Sequence, residues 1–150
     1  MRQLLALPLA LVTGVALVAC NGTTTTEPDP LAEFHGDWHA DQIGFTADAD
    51  GTLTHDAYAA GDRFDLEVRQ DGTFTQTYTW GDGTPAEIHT GTVTATPTGL
   101  NFAADTGETW TTTTAWDGGA FTMTRAGVQH DFQTGAGPEG ATMTARMHAH

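Results

Sequence analysis

From Phe34 onward apolar and polar residues alternate almost one for one, the pattern of strands with one dry and one wet face. Phe64, Leu66 and Val68 alternate with Asp65, Glu67 and Arg69. Asp71-Gly72 supplies a two-residue turn, and Phe74, Tyr78 and Trp80 resume the alternation beyond it, so this stretch predicts a hairpin. The same grammar continues downstream. Ile88 to Ala95 forms a strand whose apolar phase slips at Gly91, where a bulge is expected. Leu100 to Ala104 follows Thr98-Gly99, and Trp110 to Trp116 follows Thr106-Gly107. Gly118-Gly119 leads into Phe121 to Arg125, Gly127 into Val128 to Phe132, and a Gly/Pro loop at Gly135 to Gly140 into Thr142 to Met147.

These segments predict an all-β fold, an antiparallel up-and-down meander of eight or nine strands. A meander with one apolar face removes its unpaired edges by closing, so a closed or nearly closed barrel is expected, with a β-sandwich as the alternative. No segment holds a helical period over three turns; residues 46 to 62 form the one long connection, and their alanines allow a short helix. Threonine fills Thr73 to Thr79 and Thr109 to Thr114, where β-branching suits the pleat and the hydroxyls keep the outer face wet.

Charge narrows the partners. Asp and Glu number 19 against 5 basic residues, all arginine, giving a formal net charge of −14. Such a surface repels phosphate backbones, which disfavours nucleic acid, and it repels anionic head groups as well. The excess of Asp with no Lys resembles the surfaces of proteins from salt-loving organisms, where dissolved salt screens the mutual repulsion of carboxylates.

The N-terminus differs from everything after it. Arg2 precedes an apolar run, Leu4 to Val18, which ends at Leu17-Val18-Ala19-Cys20 with the only cysteine of the chain. This resembles the bacterial lipoprotein signal peptide with its lipobox. The resemblance implies a signal peptide over residues 1 to 19 and cleavage before Cys20. It also implies fatty acylation of Cys20, palmitate being typical, as a membrane anchor in the cell envelope. Asn21 lacks the aspartate that the family associates with inner-membrane retention, which implies the outer membrane in a cell that has two. Asn21 to Pro30, NGTTTTEPDP, buries nothing and reads as a tether, so residues 20 to 30 form the lipidated linker and residues 31 to 150 the folded domain.

On the first expected strand, Gly36-Asp37-Trp38 resembles the Gly-x-Trp signature of lipocalins and lipocalin-like domains. The family resemblance implies that Trp38 plugs the closed end of the barrel. Gly36 would be small because backbone or ring packs against it, and an Arg from the last strand, Arg146 or failing that Arg125, would lie across the indole. It also implies a lumen for a small apolar ligand. The candidates to line that lumen are Phe64, Leu66, Phe74, Tyr78, Trp80, Phe102, Trp110 and Phe121, joined by Val68, Ile88, Trp116, Met123 and Phe132; each is equally a core residue.

Other chemistry is sparse. The chain has no serine, its one thiol is expected to be acylated, and its carboxylates lie on outward faces or in turns, so no catalytic residue and no cofactor are assigned. Asp48-Ala49-Asp50-Gly51 lacks the glycine spacing and closing glutamate of a calcium loop and reads as an acidic turn. His35 and His39 stand four apart, a helical ligand spacing that a strand cannot use. Met147-His148-Ala149-His150 is better placed for a borderline ion but reads as an exposed tail, and no metal site is assigned. The expected function is non-catalytic binding or carriage of a small apolar molecule by an anchored barrel. The alternative is a filled barrel that docks to another envelope protein.

Overall fold

The computed structural model of the protein describes residues 28–150; the signal segment, Cys20 and most of the tether lie outside the described residues. Nine strands follow a single 3₁₀ turn, Ala32–Phe34: β1 Gly36–Ala47, β2 Thr54–Asp56, β3 Arg63–Val68, β4 Thr73–Thr79, β5 Glu87–Thr96, β6 Gly99–Ala104, β7 Thr109–Asp117, β8 Ala120–His130 and β9 Glu139–Ala149. Neighbours pair antiparallel in the order β1-β3-β4-β5-β6-β7-β8-β9, and β9 returns to pair with β1. The result is a closed eight-stranded barrel, lipocalin-like in architecture, with β2 as one extra strand. The sandwich alternative is excluded by that closing pair.

Strand β1 serves three partners. Gly36 to His39 pair with β3, Gly44 to Thr46 pair with β2, and β9 runs along nearly the whole strand on the other side. The change of partner falls at a bulge, where Asp41 is the extra residue between Ala40 and Gln42 and bends the strand. A second bulge interrupts β8 between Arg125 and Val128. The segments Phe121 to Arg125 and Val128 to Phe132 are therefore not two strands joined by a turn at Gly127. They belong to one bent strand that ends at His130, with Gly127 supplying a positive φ at the bend.

Two other expectations are corrected. Strand β5 has no bulge at Gly91; its pairings with β4 and β6 are unbroken. Gly91 is glycine because a Cβ there would stand 2.1 Å from the Ala103 carbonyl oxygen on β6. The apparent phase slip arises because Ile88 points outward opposite Thr77 and is 62% exposed, so it is neither core nor lumen. The connection 46 to 62 holds no helix; it carries the short strand β2 between turns. One of those turns is set by Asp50, whose Oδ1 accepts from Thr52 N–H at 3.0 Å and Thr52 Oγ1 at 2.7 Å, the local bonding expected of an acidic turn.

Inward positions from every barrel strand form one contiguous core that includes Ile43, Phe64, Leu66, Phe74, Val93, Leu100, Phe102, Phe121 and Met147. At one end this core is plugged by aromatics. Trp38 is buried, its indole N–H donates to the Phe34 carbonyl at 2.8 Å, and Phe121 and Trp116 meet it edge-on with ring centroids 4.9 and 5.8 Å away. Phe34 packs edge-on against Phe121 in turn. The 3₁₀ turn thus lies across the barrel end and supplies the group that covers the indole.

Arg146 is not that group. It occupies an outward position of β9 and its guanidinium pairs with Asp41 at 3.0 Å, on the opposite face of the sheet from the indole. Arg125 lies over Trp110, 4.7 Å from the ring centroid. Gly36 has nothing within 4 Å of where a Cβ would be, so its requirement is conformational: φ is +129°, at the bend from the 3₁₀ turn into β1.

Emptying the Trp38 site should cost about 3–5 kcal/mol, the range for truncating a large buried aromatic. In denaturant titrations Trp38→Ala should couple to Phe34→Ala by roughly 0.5–3 kcal/mol because both rings pack on Trp116 and Phe121. With Arg146→Ala it should be additive within about 0.5 kcal/mol. Strong coupling to Arg146 instead would contradict the plug described.

Candidate functional site

The end opposite the aromatic plug is polar and open. There the end of β1, strand β2, the start of β3, the end of β4 and the end of β8 converge around a cleft of about 570 Å³. His55, Asp62, Trp80, Gln129, His130 and Gln133 line it, with the exposed Asp82 and Asp131 at its rim.

The local sequence explains how each group arrives. Past the β8 bulge, Val128, His130 and Phe132 share a period-two register, which turns the His130 imidazole inward at the last position of the strand. Its ring lies flat on Phe45, with centroids 3.9 Å apart and planes 4° from parallel, and Phe132 meets it edge-on at 4.8 Å. Strand β2 carries His55 across the rim, and His55 Nδ1 stands 2.7 Å from His130 Nε2. One of these nitrogens donates its proton and the other accepts, so the pair is satisfied only while at least one imidazole is neutral.

A second polar pair underlies the cleft. Asp62, 6% exposed, accepts a hydrogen bond from the Tyr78 hydroxyl and another from the Gly81 N–H at 2.8 Å. Burial, with the bond to Asp62, raises the Tyr78 hydroxyl far above its ordinary value, so it remains a proton donor at any working pH. Trp80 rests on Tyr78 with ring centroids 4.5 Å apart and stays half-exposed at the cleft wall.

His130 is held below the ordinary imidazole range. Removal from water is the larger cause and the neighbouring His55 charge the second; the carboxylates of Asp62 and Asp131 oppose both.

Of the eight residues expected to line a lumen, Trp80 alone borders this cleft among the described residues. Phe64, Leu66, Phe74, Phe102 and Phe121 pack together inside at 2% exposure or less, and Trp110 stacks on Phe102 with centroids 5.2 Å apart. Tyr78 sits between the two sets, buried in the core with its hydroxyl on Asp62. Of the further candidates, Val68 and Met123 are core, Phe132 packs beside His130, and Trp116 closes the other end. Sequence reasoning missed His55 and His130. The period-two run Val128, His130, Phe132 carried a signal for the second; nothing local marked the first, which lies 75 residues away in the chain.

No protein-family model matches the chain, and no curated protein or solved structure matches it. The reading of the site therefore rests on its geometry.

The depressed His130 fixes a pH dependence. The unfolded chain takes up the proton near pH 6.5, whereas the folded chain resists it, so between the two values the unfolded state binds more protons. This contribution to stability is complete above about pH 6.5 and is lost as pH falls through the lower folded value. Melting temperatures measured from pH 7.5 down to 5.5 should fall, and His130→Phe, which keeps the stack on Phe45 and cannot titrate, should flatten the slope. An unchanged slope in that variant would contradict the assignment.

Proposed function

We propose that this protein is a lipid-anchored envelope module in which the packed barrel is scaffold and the mouth cleft binds a small molecule with an apolar body, without catalysis. The observation that carries this reading is the half-exposed Trp80 ring set beside the His55–His130 pair in a cleft of about 570 Å³, a volume suited to small ligands. An indole face with amide and imidazole groups around it binds an apolar body and orients a polar end. The side chains first assigned to a deep lumen pack against one another, which favours binding at the mouth over binding inside.

Anchoring rests on the lipobox resemblance. Each buried acyl methylene contributes about 0.8 kcal/mol, so the two or three chains on Cys20 that the resemblance implies would hold the domain to the bilayer. The acidic surface would add no attraction to anionic lipid. A Cys20→Ala chain should lose fatty-acid labelling and leave the membrane fraction; retention without labelling would point to an uncleaved apolar helix.

Ligand binding is testable on that same released variant. N-phenyl-1-naphthylamine is neutral and so escapes repulsion by the acidic surface. Its fluorescence should rise saturably on binding, uncharged long-chain alcohols should compete, and Trp80→Ala should weaken binding about tenfold, equivalent to about 1.4 kcal/mol. Undiminished binding in Trp80→Ala would remove the mouth as the site. Absence of binding would favour the docking module.

A further inference from the structure

On the outer wall of the barrel, away from the mouth, the strand register gathers histidines that the sequence scatters. His39 on β1 is the Cα partner of His148 on β9 and of Asp65 on β3, so the three stand in one row across three strands. Partners so aligned have Cβ atoms roughly 4.5–5.5 Å apart, within reach of a shared ion. His150, two residues beyond His148 and therefore on the same face, brings its ring within 4.4 Å of the His39 ring. His148 is thus a strand residue rather than part of a loose tail.

The bulge adds a carboxylate. Asp41, the extra residue of β1, directs Oδ2 to His148 Nε2 at 2.7 Å. Its Oδ1 is buried with no hydrogen-bond partner. His39, Asp41, Asp65 and His148 share a shallow cleft of about 510 Å³.

The Arg146 guanidinium stands at the Asp41–His148 edge of this group, with Nη1 3.0 Å from both Asp41 Oδ2 and His148 Nε2. These three contacts conflict. Arginine only donates and an ionised carboxylate only accepts, so His148 Nε2 cannot satisfy both. If the nitrogen is protonated it serves Asp41 and faces the guanidinium N–H; if it is bare it serves Arg146 and turns its lone pair toward a carboxylate oxygen. A metal ion in the place of Nη1 removes the conflict, since it accepts both lone pairs at once. Imidazole nitrogen with carboxylate oxygen is the donor set of borderline divalent ions, zinc above all.

We propose that His39, His148 and Asp41, with His150 as a further imidazole, form a site for a divalent transition-metal ion such as Zn²⁺, and that Arg146 fills the cation position when the metal is absent. As they stand, the described side chains do not close a three-ligand set. The guanidinium between Asp41 and His148 is 32% exposed at the surface and swings out by side-chain rotation. The exposed rings of His39 and His148 turn as freely, while the strand register keeps their bases adjacent.

The test is calorimetric titration of the full chain in detergent with ZnCl₂ at pH 7.5. One ion should bind per chain. Affinity should fall at least tenfold in His39→Gln and in His148→Gln. Arg146→Ala should bind more tightly than the unaltered chain, because the competing cation is gone. Circular-dichroism melting checks that each variant folds, and His130→Phe should leave zinc binding unchanged because it alters only the mouth. Three outcomes would overturn the proposal: no saturable binding, binding indifferent to His39→Gln, or binding weakened by Arg146→Ala.

Discussion

The β1–β9 pairing is the constraint on which the rest of the structure depends. Without it the meander would be an open sheet with two long unpaired edges and an apolar face turned to water. With it, the inward side chains of all eight barrel strands meet one another. The partners along β1 and β9 are about a hundred residues apart in sequence, as Gly44 and Thr144 show, so closing the ring costs chain entropy that the interior packing must offset. No disulfide shares that task among the described residues, because the only cysteine of the sequence precedes them. The aromatic plug and the bulges assist. Asp41 bends β1 so that one edge serves β3 and then β2 while the other stays on β9, and Phe34 packs at the Trp38 end.

How much of this was legible in the sequence follows from how local each determinant is. Alternation such as Phe64, Leu66, Val68 is written within one strand, and the turn at Asp71-Gly72 within two residues, so strand existence and barrel class were readable. Bulges are written between strands. Gly127 reads as a turn and Gly91 as a bulge, and only the registers of β8 with β9 and of β5 with β6 reverse those assignments. Ile88 shows the same limit, since an apolar residue in strand context reads as core although it faces outward. The lipocalin resemblance led to Trp38 as a buried end group, yet it misassigned the cover. Face parity in β9 sends Arg146 outward, whereas the 3₁₀ turn that reaches the indole was invisible to a period-two reading.

The mouth was harder still to read, because its polar pairs are assembled by topology. His55 and His130 come from a three-residue strand and from the far end of a bent one, and Asp62 and Tyr78 from opposite sides of a hairpin. Each pair confines a polar group to a place where water is scarce, which is why both titratable rings, imidazole and phenol, are pushed toward their neutral forms. The exposed carboxylates of Asp82 and Asp131 stand beside these neutral groups at the rim, where they repel anions and leave the Trp80 ring as the apolar face.

The arginines of the described residues complete the electrostatic logic. Arg69 pairs with Glu67, Arg125 with Glu108 and Arg146 with Asp41, while Arg63 lies 4.5 Å from the Tyr58 ring centroid. With carboxylates so far in excess, every guanidinium has a choice of partners, and exposed pairs of this kind contribute little to stability, about 0–1 kcal/mol. Their positions therefore need an explanation other than stability. For Arg125 it is the face of Trp110, a buried core ring that the guanidinium covers. For Arg146 no aromatic face is involved. It sits between an imidazole nitrogen and a carboxylate whose other oxygen is buried without a partner, an arrangement that a monovalent, donor-only group satisfies incompletely. On a wall this acidic, a position that keeps a cation and still leaves acceptor capacity unused is one where a more highly charged ion has the advantage.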